Sequence, residues 1–357
     1  MSAEFLRLTT YFGERDRAGE ALLADRLLDI YEAERLQASV LLRGIEGFGR
    51  PHQLHTERLL SLSEDLPLVA TAVDRRERIE AALARVLEIK RRGLVTLERA
   101  RVLDGETAAP VPGGVGEEAK LTIHLGRRER VAGRPAYAAV TDLLRRHGLA
   151  GATVLLGVDG TRHGRRARAR FFARNADVPV VVVAVGSGAL VADALAALRG
   201  LLEDPLLTLE RVRVCKRDGE RLATPQALPS RDERGFQMWQ KLTVYTSHAS
   251  THDGRPLHAA LVRRLRASSA AGATSLCGIW GFHGDHEPHG DRLLQLRRHV
   301  PVVTTVIDTP AGAARSFEII DELTAERGLV TSEMVPALGV FGDGERPHHL
   351  PLASHGG

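Results

Sequence analysis

Three glycine-bearing segments hold the residue types best suited to gripping a small charged molecule. Gly44, Gly47 and Gly49 end an apolar run and open a polar stretch. Gly157 with Gly160, and Gly278 with Gly281, repeat that arrangement further along. Glycines at a strand end can let backbone N–H groups converge on an anion such as a nucleotide phosphate. They can equally supply backbone freedom at the base of a loop. The spacing is neither that of a Walker loop nor that of a dinucleotide fingerprint. Glu14, Asp16, Arg43, Glu46, His55 and Glu64 make up the polar set of the first of three repeated units. Beside the glycines they could line a cleft and fix a charged ligand; as a solvated surface their ion pairs would contribute little.

Two other clusters have chemical potential. His283, His286 and His289 stand at intervals of three with Asp285 between them, a set that zinc or another transition metal could use. Gly284, Pro288 and Gly290 interrupt that stretch, so helical spacing does not follow. Arg162, Arg165, Arg166, Arg168 and Arg170 form a basic run followed by Phe171 and Phe172, either a solvated loop or a grip for an acidic partner. No Ser–His–Asp or Cys–His constellation emerges, and the expectation is a protein that is not an enzyme.

The elements that must position these residues come in triplicate. Residues 39–47 (SVLLRGIEG), 152–160 (ATVLLGVDG) and 273–281 (ATSLCGIWG) are one unit written three times. Gly19, Gly133 and Gly254 recur in phase, as do Pro67, Pro179 and Pro301. The period of about 115 residues is too long for a solenoid and suits a small domain. In the first copy, residues 5–12, 40–46, 67–74 and 94–103 read as strands, and 20–35 and 76–91 as amphipathic helices. The second copy fills the same slots with 121–125, 136–146, 153–158, 178–185, 189–201 and 206–214. The third does so with 242–246, 257–267, 274–280, 301–308, 311–326 and 330–340. The order β-α-β-β-α-β is that of a ferredoxin-like sandwich, an α+β fold. Domains are expected at 1–104, 117–217 and 236–341. The Pro- and Gly-rich stretches 105–116 and 218–235 read as linkers, and 342–357 as a loose tail.

Composition bounds the rest. The 357 residues are 43% hydrophobic, 26% charged and only 4% aromatic, an ordinary globular balance with aliphatic cores. The net charge of +4 permits an anionic ligand without demanding nucleic acid, and no nucleic-acid partner is expected. Cys215 and Cys277 fall at non-matching positions, which argues against a disulfide framework and for a reducing cytoplasm. No apolar run is long enough to span a membrane.

The first copy carries a signature in Tyr11, Phe12, Gly13, Glu14, Arg15 and Asp16, in 43–49 (RGIEGFG), in His55 and Thr56, in 62–67 (LSEDLP) and in 93–97 (GLVTL). This resembles the DUF190 family, itself similar in fold to the PII-type nitrogen-regulatory signalling proteins. The third copy keeps Gly278, Ile279, Gly281, Phe282, His289, Pro301 and 328–331 (GLVT) but has Ser247, His248, Ala249 and Ser250 in place of the Gly-Glu-x-Asp segment. The second departs furthest, with Leu156 in the slot of Arg43.

The resemblance implies trimers with ligands in clefts between protomers. Three copies in one chain therefore imply a closed single-chain pseudo-trimer, and tethering raises the effective concentration of each partner. A sandwich with helices on one face also leaves its other sheet face to be covered, and strands such as the one bearing Leu121, Ile123 and Leu125 are expected to need that cover. The implied function is a cytoplasmic regulator that binds a small anionic metabolite or nucleotide between repeats and acts on a target protein. A membrane transporter or fluoride channel is one such target, through the family's genomic association with fluoride exporters. A metal-binding protein using the histidine loop and a ligand-free structural adaptor are the alternatives.

Overall fold

The computed structural model describes residues 4–49, 54–56, 65–103, 118–166, 178–283, 289–290, 300–342 and 347–354. The first unit contains β1 (Phe5–Gly13), α1 (Leu23–Ala33), β2 (Ala38–Phe48), β3 (Pro67–Arg75), α2 (Arg76–Ile89) and β4 (Gly93–Val102). The second contains β5 (Glu118–Gly126), α3 (Ala136–Arg146), β6 (Gly151–Leu156), β7 (Pro179–Ser187), α4 (Gly188–Leu201) and β8 (Leu206–Arg217). The third contains β9 (Trp239–Ser247), α5 (Leu257–Ala267), β10 (Ala273–Cys277), β11 (Trp280–His283), β12 (Pro301–Asp308), α6 (Pro310–Leu323), β13 (Leu329–Val335) and β14 (Ala337–Phe341).

Each unit is an antiparallel sheet in which the first strand lies between the third and the last. In unit one, Leu8 of β1 faces Ala72 of β3 on one side and Leu97 of β4 on the other. The period of two then sends Leu6 and Leu8 under the helices and Arg7, Thr9 and Tyr11 to the opposite face. Leu121, Ile123 and Leu125 behave likewise, so the apolar residues of these strands are covered by their own helices. The expectation that they demand cover from neighbouring units is corrected: the face turned to the neighbours carries Lys120, Thr122 and His124 at those alternate positions. Helix α1 contributes Leu23, Leu27, Leu28, Ile30 and Tyr31 to its core. Ser187 and Thr309 cap α4 and α6, accepting from the N–H groups of Leu190 and Gly312.

The units are joined by their strands. Beyond Gly44, β2 leaves its own sheet and pairs with β10, Gly47 opposite Thr274. Strand β11 pairs with β6, Gly281 opposite Thr153. Asp159 bridges to Leu41, and Arg162 pairs with Ala38. Unit one thus lies on unit three, three on two, and two on one. The last strands make a second circuit: Val102 faces Thr208, Val214 faces Thr331 and Phe341 faces Gly93. Strands β2, β3, β1, β4, β8, β13, β9, β12 and β10 close into a nine-strand barrel. Val40, Leu42, Val69, Leu155, Val181, Tyr245, Leu276 and Val303 form a central core drawn from all three units.

Within the barrel lies a ring of opposite charges. Arg7 meets Glu210 at 2.5 Å, Lys120 meets Glu333 at 2.5 Å, and Lys241 meets Glu98 at 2.5 Å. Each pair crosses from one unit to the next. Burial alone would raise the Glu98 carboxyl, but Lys241, Lys120 and Arg7 outweigh it and hold it below the usual carboxylate range.

Two segments are more ordered than their composition implies. Leu350, Leu352 and Ala353 are buried, so the expected loose tail does not hold for residues 347–354. Asp232, in the stretch expected to be a linker, accepts from the N–H groups of Arg234, Phe236 and Ser354 and pins that tail. Residues 105–116, the other expected linker, lie outside the described residues. No described helix is long and apolar enough to cross a membrane.

Candidate functional site

The end of β1, the turn after it, the start of β4 and the edge of β10 enclose a cavity of about 110 Å³ between units one and three. Its walls include Tyr11, Gly13, Asp16, Gly49, Asp65 and Arg92. The turn is built by its own acids. Asp16 accepts from the N–H of Gly13 at 3.1 Å, and Asp65 accepts from the N–H of Arg15 at 2.8 Å. Gly93 has φ of +87°, and a Cβ there would run into the carbonyl oxygen of Tyr11. That same oxygen accepts from Lys90 at 2.9 Å. The Lys90 ammonium lies 5.4 Å from the Phe12 ring centre and 5.8 Å from that of Phe341. Burial pushes its pKa down to about 7, with Asp16 opposing. Arg92 is exposed at the rim with no ion pair or hydrogen bond among the described residues. The cleft therefore offers a free guanidinium, two carboxylates and an apolar wall.

The expected site residues divide. Asp16 and Gly49 line the cleft. Glu14 and Arg43 form a bidentate pair, 3.1 and 2.9 Å, on the exposed surface. Glu46 is buried on the part of β2 that pairs with β10. Gly44 and Gly47 serve the strand crossing: a Cβ at Gly47 would sit 2.8 Å from the carbonyl oxygen of Ala273, and one at Gly44 would sit 2.7 Å from the ring of Pro67. Gly157, Gly160, Gly278 and Gly281 occupy the equivalent crossings. The N–H of Gly157 donates to Pro179 at 2.8 Å, that of Gly278 to Pro301 at 2.7 Å, and that of Gly160 to the Asp159 carboxylate at 2.7 Å. Those three amides are engaged within the fold and are not open to an anion. His55 lies on a short strand opposite Gly47, and Glu64 lies outside the described residues.

The histidine and arginine runs also separate. The His283 ring makes a 3.2 Å contact with the carbonyl oxygen of Thr246. His289 pairs through its backbone with Gly281, and His286 lies outside the described residues. Among the described residues no three His, Cys, Asp or Glu side chains gather as a metal site. Arg166 is not a free basic residue. It bonds Asp159 at 2.9 Å and Asp29 of α1 at 2.6 Å, tying unit two to unit one. Arg168, Arg170, Phe171 and Phe172 lie outside the described residues.

Arg92 and Lys90 escaped the sequence reading because they sit in a charged run at a helix end, which looks like solvated surface. Their equivalents show how the junctions differ. The second unit has Asp204 and Pro205 where the first has Arg92 and Gly93, beside a cavity that also touches Gln37 and His163 of the adjoining segments. The third has Arg327 and Gly328.

Three copies of one α/β unit, stitched edge to edge, define the class of protein. The DUF190 family, described as "Uncharacterized ACR", matches residues 5–102, 118–214 and 239–337, and the chain belongs to it. Two curated relatives, each called "UPF0166 protein", come from Aquifex aeolicus (strain VF5). One is 31% identical over 97 residues, spanning 27% of this chain and 90% of its own length. The other is 32% identical over 83 residues, spanning 23% and 85%. Each relative thus corresponds to about one of the three units. Among solved structures, an unknown protein from Galdieria sulphuraria is 14% identical, covers 59% of this chain and 99% of its own, and has a TM-score of 0.18, too slight a likeness to define a fold.

Proposed function

We propose that the chain is a PII-like regulatory protein, a closed single-chain pseudo-trimer of ferredoxin-like units, which binds a small anionic ligand such as a nucleotide in the cleft between units one and three. It works in the cytoplasm without catalysing a reaction and passes ligand occupancy to a target protein, of which a membrane transporter or channel is one candidate. The observation that carries this reading is the cleft itself. It lies at a unit junction, with the uncommitted Arg92 at its rim and the aromatic ring of Tyr11 in its wall. The equivalent junction ahead of β8 has Asp204 at the position of Arg92, with Arg199 of α4 elsewhere in its wall. The second junction thus differs from the first, while the third keeps the cation as Arg327.

The test is a thermal-shift and calorimetric comparison of ATP, ADP, cyclic AMP, fluoride and zinc. A native-state ligand raises the melting temperature with concentration. The expected result is a nucleotide response lost in Arg92→Ala and in Gly49→Val. Gly49 is the right glycine to change, since a Cβ there meets nothing within 4 Å. A nucleotide response indifferent to both substitutions, or a response to zinc alone, overturns the reading.

A further inference from the structure

A second cavity, of about 130 Å³, lies where the three first strands, β1, β5 and β9, face one another. Its lining comes in matched sets. Thr9, Thr122 and Thr243 form one layer, and Tyr11, His124 and Tyr245 another. Leu42, Leu155 and Leu276 with Val69, Val181 and Val303 make the apolar wall. Arg7, Lys120, Lys241 and Glu333 stand at the charged end.

We propose that this cavity is a separate binding site for a compact uncharged molecule with an apolar body and one hydroxyl or carbonyl group. Three observations point the same way. Eight Val and Leu side chains form the apolar part of the wall, a surface suited to an apolar guest. The charged end is already balanced, because Arg7, Lys120 and Lys241 each have a carboxylate at 2.5 Å. An entering ion would have to separate one of those pairs in a buried setting, which is costly. The polar handle is His124. Its side chain is buried, and Nε2 has no hydrogen-bond partner among the described residues. Burial and the nearby Arg7 favour its neutral ring, which can accept from a hydroxyl or donate to a carbonyl. The other two units carry tyrosine at this position, so the handle is a feature of unit two alone.

The cavity is distinct from the junction cleft, yet Tyr11 and Thr305 stand in the walls of both. The proposal does not depend on a nucleotide binding in the cleft.

Phenol is a suitable probe: an apolar ring, one hydroxyl and no charge near neutral pH. Calorimetry on the full chain should show a single saturable site for phenol, with benzoate and benzylammonium at least about tenfold weaker, as burying an unpaired charge requires. The His124 ring signals, assigned by their loss in His124→Gln, should shift with the same saturation. Leu155→Trp, which fills the cavity, should weaken phenol at least about tenfold while the melting transition persists. Should that variant fail to fold, the wild-type His124 signals still decide. No saturable phenol binding, binding that leaves the His124 signals unmoved, or benzoate binding as tight as phenol each overturns the proposal.

Discussion

Arg7 on the first strand of unit one reaches Glu210 on the last strand of unit two at 2.5 Å, and its other contacts, Thr122 at 3.3 Å and Thr208 at 2.9 Å, belong to unit two as well. A charged residue near the start of the chain is thus solvated almost entirely by another unit. Arg7→Met would leave Glu210 buried with its longer contacts, Lys120 at 3.3 Å and the Thr208 hydroxyl donating at 3.3 Å. Loss of about 3–5 kcal/mol is expected, the usual cost of breaking a buried pair from one side. Arg7→Met with Glu210→Met should recover much of it. Urea unfolding of the two single variants and the double variant measures the coupling, and simple additivity would show that the pair does not act as a unit.

Lys90 makes stability depend on pH at the alkaline side. Its ordinary pKa of 10.5 falls to about 7 in the fold through burial, against the pull of Asp16. Between those values the unfolded chain holds the extra proton, so stability rises with pH from about 7 to 10.5. Lys90→Met keeps an unbranched chain against Phe12 and Phe341 and should flatten that rise. Melting temperatures at intervals across this range check it; an unchanged slope would remove Lys90 as the cause.

His124 acts at the acid side. Burial first, and then Arg7, bring its pKa from 6.5 down to about 3. Below pH 6.5 the unfolded ring takes up a proton that the folded ring refuses, so stability falls as the pH drops toward 3. His124→Tyr, which copies units one and three, should lessen the acid loss in chemical denaturation at pH 7 and pH 4.

Gly93→Ala should cost at least about 2 kcal/mol, because the left-handed backbone and the Tyr11 carbonyl both exclude a side chain. Gly49→Ala, elsewhere in the same cleft wall, should be nearly silent in the same denaturation assay.

Much of the fold was legible because hydrophobic period and repetition agree. Helices Ala136–Arg146 and Leu257–Ala267 and strand Pro301–Asp308 fall where the pattern placed them. The pattern could not see partners. Residues 274–280 read as one strand, whereas the chain breaks at Gly278 and Ile279 as it passes from its own sheet to that of unit two. Ala21–Leu22, which pairs with Arg17–Ala18 in a hairpin, falls inside the helix expected over 20–35, since two-residue strands carry no period. Its signal was Gly19, whose φ of +66° fits a turn. Arg7, Lys120 and Lys241 occupy the polar positions of alternating strands, which period alone does not assign to a buried interface. Their recurrence in phase, matched by Glu98, Glu210 and Glu333, was the available clue that this face is shared.

Because the circuit of strand pairings is completed within a single polypeptide, each corner of the ring is encoded separately. In an assembly of three identical chains, any substitution arrives in triple dosage. Here Arg7 stands among two lysines, His124 among two tyrosines, and Pro205 among two glycines, each altering one corner while the other two share a residue. A change that would empty every cleft of a homotrimer removes one, so the remaining corners are free to hold the ring together while the first is tuned.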